Sequence, residues 1–365
     1  MVKERERTIL DIEKLLLLAA ERAASDVHIR AGGPAYLRVH GELVPADGAI
    51  LEPMDVDALA ERIMTAEQLE SFHATNEADF AFTHPEAGRF RVNVFRQRGL
   101  TGLVMRRVTN GVQSFDSLGL PPAVRSLAEE RRGLVLVTGM TGSGKTTTTA
   151  AILSHINMTR RCHIVTIEDP IEVMHEDRMA IVDQREVGID TADFHTALKY
   201  AMRQDPDVIF IGEMRDLETV SSALHAAETG HLVISTMHTI DATETINRVI
   251  DFYPPYQQMQ ARMSLAGSLK GVISQRLLAR ADGEGRVPGI EVMVANGRIA
   301  DMIVNPDQTS MISSVIEDGD FYGMQTFDQH LIRLVREGVV TLDEALAGAT
   351  SPHDLQVRLR QAGLA

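Results

Sequence analysis

The chain has 365 residues, 44% of them apolar, which is enough to bury the cores of two or three globular domains. Its net charge of −15 argues against general nucleic-acid binding, because neutralising phosphates takes Lys and Arg in excess, and leaves room only for a local basic groove. One cysteine, Cys162, excludes an internal disulfide and a four-cysteine zinc site, and with no Trp and 17 Met the cores must be largely aliphatic.

Residues 1–14 lack the apolar stretch of a signal peptide, and the apolar run at 15–20 is too short to span a bilayer. A cytoplasmic protein without direct membrane insertion is expected. Residues 9–24 read as an amphipathic helix, interrupted at Ser25-Asp26. Short alternating strands follow at 27–30 and 36–44, broken at Gly32-Gly33-Pro34 and Gly41. Residues 55–72 have a helical pattern, and 79–83, 89–95 and 100–108 read as strands. Residues 1–108 therefore form an α+β module without a catalytic motif. Arg89, Arg91, Arg96, Arg98, Arg106 and Arg107 crowd its last strands. They are either a solvated sheet face or cations offered to a phosphate. Alternation puts Arg89 and Arg91 on one face, with Phe90 and Val92 on the other.

Residues 109–122, with Gly111, Gly119 and Pro121-Pro122, read as a linker. Beyond it strands and helices alternate, the pattern of a parallel sheet covered on its faces. Strands are expected at 134–138, 163–167, 208–211 and 232–236, with helices at 191–203 and 217–229. From Tyr256 helices predominate (257–270, 297–304, 308–317, 326–337, 341–347 and 353–360), interrupted by a strand pair at 273–278 and 290–294. Gly283 and Gly285 mark its turn.

The chemistry concentrates at the first of these strands. It runs into Gly139-Met140-Thr141-Gly142-Ser143-Gly144-Lys145-Thr146, followed by Thr147 and a helical stretch, which fits G-x-x-x-x-G-K-[ST]. Glycines let backbone N–H groups curl around phosphate oxygens, and the following helix aims its positive end at the same anion. Lys145 then reaches the β- and γ-phosphates, and the Thr146 hydroxyl suits Mg²⁺. GxGxxG is absent, so a dinucleotide fold is not supported. Two acidic segments end apolar strands downstream. One carries Glu168 and Asp169-Pro170; the other delivers Glu213 to the sheet edge where ligands of open α/β sheets collect. A carboxylate there can orient or deprotonate water or hold a metal through water. His231 and His238 flank a third strand, too far apart to share a zinc ion. His238 suits a γ-phosphate sensor; a hydrogen-bonded structural role is the other reading of each histidine.

The ordered segments GMTGSGKT, TIEDPIE, DPDVIFIGEMRD and TGHLVISTMHT resemble the Walker A, Asp box, Walker B and His box of the secretion-ATPase superfamily. ASDVHIRAGGPAYLRVHGEL, GRFRVNVFRQRG, VDQREVG, INRVIDFYP and YGMQTFDQHL extend the resemblance, over nearly the whole chain, to type IV pilus retraction ATPases, the twitching-motility PilT family. The resemblance implies a PAS-like N-terminal domain followed by a RecA-like ATPase domain with a helical tail. It also implies a homohexamer that binds ATP with Mg²⁺ between the domains and works on an inner-membrane pilus platform protein. It assigns Lys145 and Thr146 to phosphate and Mg²⁺, Glu168 to the neighbourhood of the metal, and Glu213 to catalysis. His231 and His238 fall in the His box, and Arg91, Arg98 and Arg106 match the N-terminal arginines that approach the nucleotide. Residues 297–305 keep the apolar spacing of the retraction ATPases' AIRNLIRE segment but lose its charges. Assembly or type II secretion thus stays open beside retraction, although those relatives usually carry a longer N-terminal region and four zinc-binding cysteines. A nucleic-acid translocase on the same core is a more distant alternative.

Overall fold

A computed structural model describes residues 11–39, 41–46, 50–110 and 112–364. The beginning of the helix expected at 9–24, and His40 within the strand region 36–44, lie outside these. The chain divides into two compact units: residues up to Asn110 together with Glu172–Met174, and the remainder.

The first unit is built on a six-stranded antiparallel sheet in the order Glu42–Pro45, Tyr36–Val39, Asp26–Arg30, Leu100–Arg107, Gly88–Gln97, Glu77–His84. Period-two alternation sends Phe90, Val92 and Val94 into the core with Leu16, Ile29, Leu37, Leu103 and Met105, while Arg91 stays exposed. One expectation needs correction. The single helix at 55–72 is two helices, Pro53–Ile63 and Ala66–Thr75. Met64, extended, ends the first, and Thr65 caps the second through a reciprocal box: its hydroxyl accepts from Gln68 N at 3.3 Å, and Gln68 Oε1 accepts from Thr65 N at 2.9 Å. The spacing Thr-x-x-Gln signals that start. Thr109–Asn110 pairs in parallel with Val173–Met174, so these residues belong to a strand rather than to a tether.

The second unit carries a seven-stranded sheet in the order Ile181–Glu186, His163–Glu168, Val208–Ile211, Leu232–Met237, Gly133–Thr138, Leu269–Ala279, Arg286–Val294. All neighbours are parallel except the last pair. Its central strands are apolar on both faces, as full coverage by helices requires. Leu134 and Leu136 enter one core with Val165, Ile167, Ile209 and Ile211, beneath helices Phe194–Ala201, Leu217–Glu228, Ala242–Asp251 and Gln258–Ser268. Val135 and Val137 enter the other with Ile164, Phe210, Ile234 and Ile273, beneath Pro122–Ala128 and Lys145–Thr159. Phe115, Leu118 and Leu120, in the stretch read as linker, pack on this second core. The strand pair expected to interrupt the tail is instead part of the main sheet. Its outer ends, at Leu278 and Val287, share a smaller core with Leu331, Leu334, Leu355 and Leu359 of the C-terminal helices.

Candidate nucleotide site

In a parallel sheet every strand delivers its following loop to the same edge. Here that edge receives the loops after Gly133–Thr138, His163–Glu168, Val208–Ile211 and Leu232–Met237. The first is the glycine loop. Gly139, Gly142 and Gly144 have φ of 145°, 79° and 91°, a region that L side chains rarely occupy. The 15-residue helix Lys145–Thr159 begins immediately after, and no side chain caps its first N–H groups. Lys145 Nζ donates to the carbonyls of Gly139 at 2.7 Å and Met140 at 3.1 Å, folding back over the loop. Ser143 Oγ is buried without a hydrogen-bond partner. Uncapped amides, a lysine over the loop and an orphaned hydroxyl fit a phosphate chain. Thr141, Thr146 and Thr147 are exposed at the same loop and helix start.

Two strands from the glycine loop's strand, the chain leaves Val208–Ile211 and presents Glu213. Thr236 Oγ1 donates to Gly212 O at 2.7 Å and Met214 N to Thr236 O at 3.1 Å, fixing the backbone on both sides of the carboxylate. Glu213 Oε2 lies 3.2 Å from His238 Nε2, and its other oxygen is engaged by Arg215. Arg215 also reaches Asp169 at 3.9 Å. Burial lowers the His238 pKa, and the positive charges of Lys145 and Arg215 lower it further. The ring is therefore neutral at pH 7 and can donate from Nε2 to the Glu213 carboxylate.

Glu168 sits one strand further out. It is buried and accepts from Thr166 Oγ1 at 2.7 Å and Gln184 Nε2 at 3.1 Å. Its strand lies three inter-strand steps, roughly 14 Å, from the glycine loop's strand. Among the described residues no group of three or more His, Cys, Asp or Glu is arranged to hold a metal.

The structure does not bring His231 to this edge. It precedes the strand whose far end carries His238, so six strand residues, roughly 20 Å, separate the two. Its Nδ1 is bonded to Ala226 O at 2.9 Å, and its backbone carbonyl accepts from Gly133 N at 2.9 Å. These are structural bonds, and the parallel direction of the strand explains the separation. In the first unit, Arg106 donates to the buried Asp26 at 2.8 Å. Burial pushes the Asp26 pKa up, but bonds from Arg106 and Ser25 outweigh it and hold it below the usual value. Arg96 reaches Asp57 and lies 5.2 Å from the centre of the Phe72 ring. Arg91 is exposed, and Arg98 occupies a positive-φ turn (52°) between two strands. Sequence reasoning missed Gln275, which contacts the glycine loop from the neighbouring strand; its donor reaches Ser143 O at 2.6 Å.

The model of the Type II/IV secretion system protein family matches residues 2–345. The chain is 44% identical to the type IV pilus retraction ATPase PilT of Pseudomonas aeruginosa, over 94% of this chain and all of that one. It is 42% identical to a twitching motility protein of Neisseria gonorrhoeae, over 85% of this chain and 82% of the other. Among solved structures it is similar to the pilus retraction motor PilT with bound ADP, with TM-score 0.89, 42% identity, and 95% and 99% of the two chains covered. No helix among the described residues is long and apolar enough to cross a membrane. A glycine loop and a paired carboxylate at one edge of a parallel sheet, in a chain matched over most of its length by such relatives, make it a member of the Type II/IV secretion system protein family, on its PilT retraction-ATPase branch.

Proposed function

We propose that this protein is a Mg²⁺-dependent motor ATPase that drives the retraction of type IV pili. One observation carries the reading: the glycine loop with Lys145 and the Glu213–His238 pair share one edge of one sheet. The similarity to retraction ATPases supplies the machine on which it acts.

In this reading the loop amides of 139–146 hold the phosphates. Lys145 exchanges the carbonyls of Gly139 and Met140 for β- and γ-phosphate oxygens. Glu213 orients a water for in-line attack on the γ-phosphorus; the bond to the bridging oxygen breaks, giving ADP and inorganic phosphate. His238 holds Glu213 in place and reports on the γ-phosphate. Thr146, with Glu168 or Glu213, would hold Mg²⁺, which would supply charge neutralisation on the phosphates. Arg91 and Arg98 are further cations for that charge; Arg106 has Asp26 to hold as well. The two units act as PAS-like and RecA-like domains of a homohexamer, cytoplasmic at the inner-membrane face of the pilus base, and turnover is coupled to a platform protein there.

The test is phosphate release by the purified protein with Mg-ATP, beside a gene deletion scored for pili. Turnover that needs Mg²⁺ and is lost in Lys145→Ala, with immobile cells carrying excess pili, is the expected result. Bald cells would move the protein to pilus assembly, and absence of nucleotide binding would end the reading.

A further inference from the structure

The parallel pairing between Leu269–Ala279 and Gly133–Thr138 ends at Ser274 opposite Thr138, where Thr138 Oγ1 donates to Ser274 Oγ at 2.9 Å. The next residue on each strand is Gln275 and Gly139. Gln275 is only 1% exposed. A Cβ at Gly139 would stand 2.4 Å from the Gln275 carbonyl oxygen, and one at Gly144 would stand 2.9 Å from its Nε2. Nothing lies within 4 Å of a Cβ at Gly142. The Gln275 backbone thus leaves no room for a side chain at Gly139, and its amide crowds one at Gly144, in addition to their φ.

From this position the Gln275 side chain donates to the Ser143 carbonyl at 2.6 Å. In a trans peptide the C=O and the following N–H point in opposite directions. Holding the Ser143 oxygen toward the neighbouring strand thus turns the Gly144 N–H the other way. Glycine at 144 lets that peptide rotate, so the tether selects one orientation from several. The strand itself is anchored on its other face: Arg276 Nη1 donates to Gly348 O at 2.7 Å, and the guanidinium lies 4.0 Å from the centre of the Phe327 ring.

We propose that Gln275 is a positioning residue for nucleotide binding: by tethering the Ser143–Gly144 peptide it pre-sets the phosphate-binding amides before the ligand arrives. This rests on the nucleotide reading above. Its loss removes preorganisation felt equally by substrate and product, so affinity falls while the chemical step is spared.

The experiment measures Mg-ADP affinity and ATP turnover for the wild type, Gln275→Met and Gln275→Glu, with nucleotide-free melting as the fold control. Gln275→Met keeps the volume and loses the donor. A dissociation constant raised about tenfold, with kcat within about threefold of wild type, is expected. Gln275→Glu can donate only when protonated. Its affinity deficit should be large at pH 8.5 and narrow toward pH 6, relative to wild type at each pH. Wild-type affinity in Gln275→Met, or a Gln275→Glu deficit that ignores pH, overturns the proposal. If Gln275→Met does not fold, the pH dependence of Gln275→Glu decides alone. Wild type that binds no ADP refutes the nucleotide reading instead.

Discussion

The strand Leu232–Met237 has a histidine at each end, and the two ends do different work. His238 emerges at the edge that also receives the glycine loop and Glu213, and its ring faces a carboxylate. His231 emerges at the opposite edge, and its ring closes a turn onto Ala226. Residue type and nearness in sequence are the same for both. What separates them is the direction of the strand, since a parallel sheet gathers its variable loops at one edge and its return turns at the other. At the first edge Glu213 and His238 pair beside the glycine loop, whereas at the other His231 is committed to the fold.

That contrast can be broken by substitution. Lys145→Ala should remove about 10³-fold or more of the turnover, since it deletes the cation over the loop; phosphate release measures it. Glu213→Gln should lower kcat by about 10²-fold or more while ADP binding survives, because the amide cannot take a proton from water. Near-normal hydrolysis there would contradict the role of that edge. The two histidines give the sharpest comparison. His238→Ala should lower kcat about tenfold with little change in melting. His231→Ala should leave kcat within about twofold and lower stability by about 1 kcal/mol, as expected for one lost hydrogen bond. Equal effects on turnover would erase the distinction.

A buried group away from the edge gives a smaller, pH-dependent effect. Burial raises the Glu291 pKa to about 7. A raised pKa means that the folded state holds its proton longer than the unfolded one. The favourable contribution is complete below about pH 4.5 and is lost as pH rises through about 7. Glu291→Gln should therefore melt like wild type near pH 4.5 and be more stable at pH 8, by about 1–3 kcal/mol. Denaturant titrations at the two pH values check this. His330 has the opposite sign: burial lowers its pKa to about 3, so its contribution is lost as pH falls below about 6.5.

Much of the α/β unit was legible because its strands are short apolar runs bounded by glycine and acidic turns. The strand Ile181–Glu186 escaped because it lies at the sheet edge, where Asp183, Gln184 and Arg185 face solvent in part and blur the pattern. The helix Pro122–Ala128 escaped because Pro121-Pro122 signals a turn, although proline is also favoured in a first helical turn. The glycine loop, Glu213 and His238 announced themselves through local spacing. Gln275 and the Asp26–Arg106 pair did not, since each depends on strand register between segments far apart in sequence. No local pattern encodes such a register.

The glycine loop's strand, Gly133–Thr138, is flanked by Leu232–Met237 and Leu269–Ala279, both made much later on the ribosome. Its apolar side chains stay uncovered by their partners during that interval, and pairing between distant segments is slow to form. Chaperone capture of nascent chains should therefore be strongest between the synthesis of the first of these strands and the last.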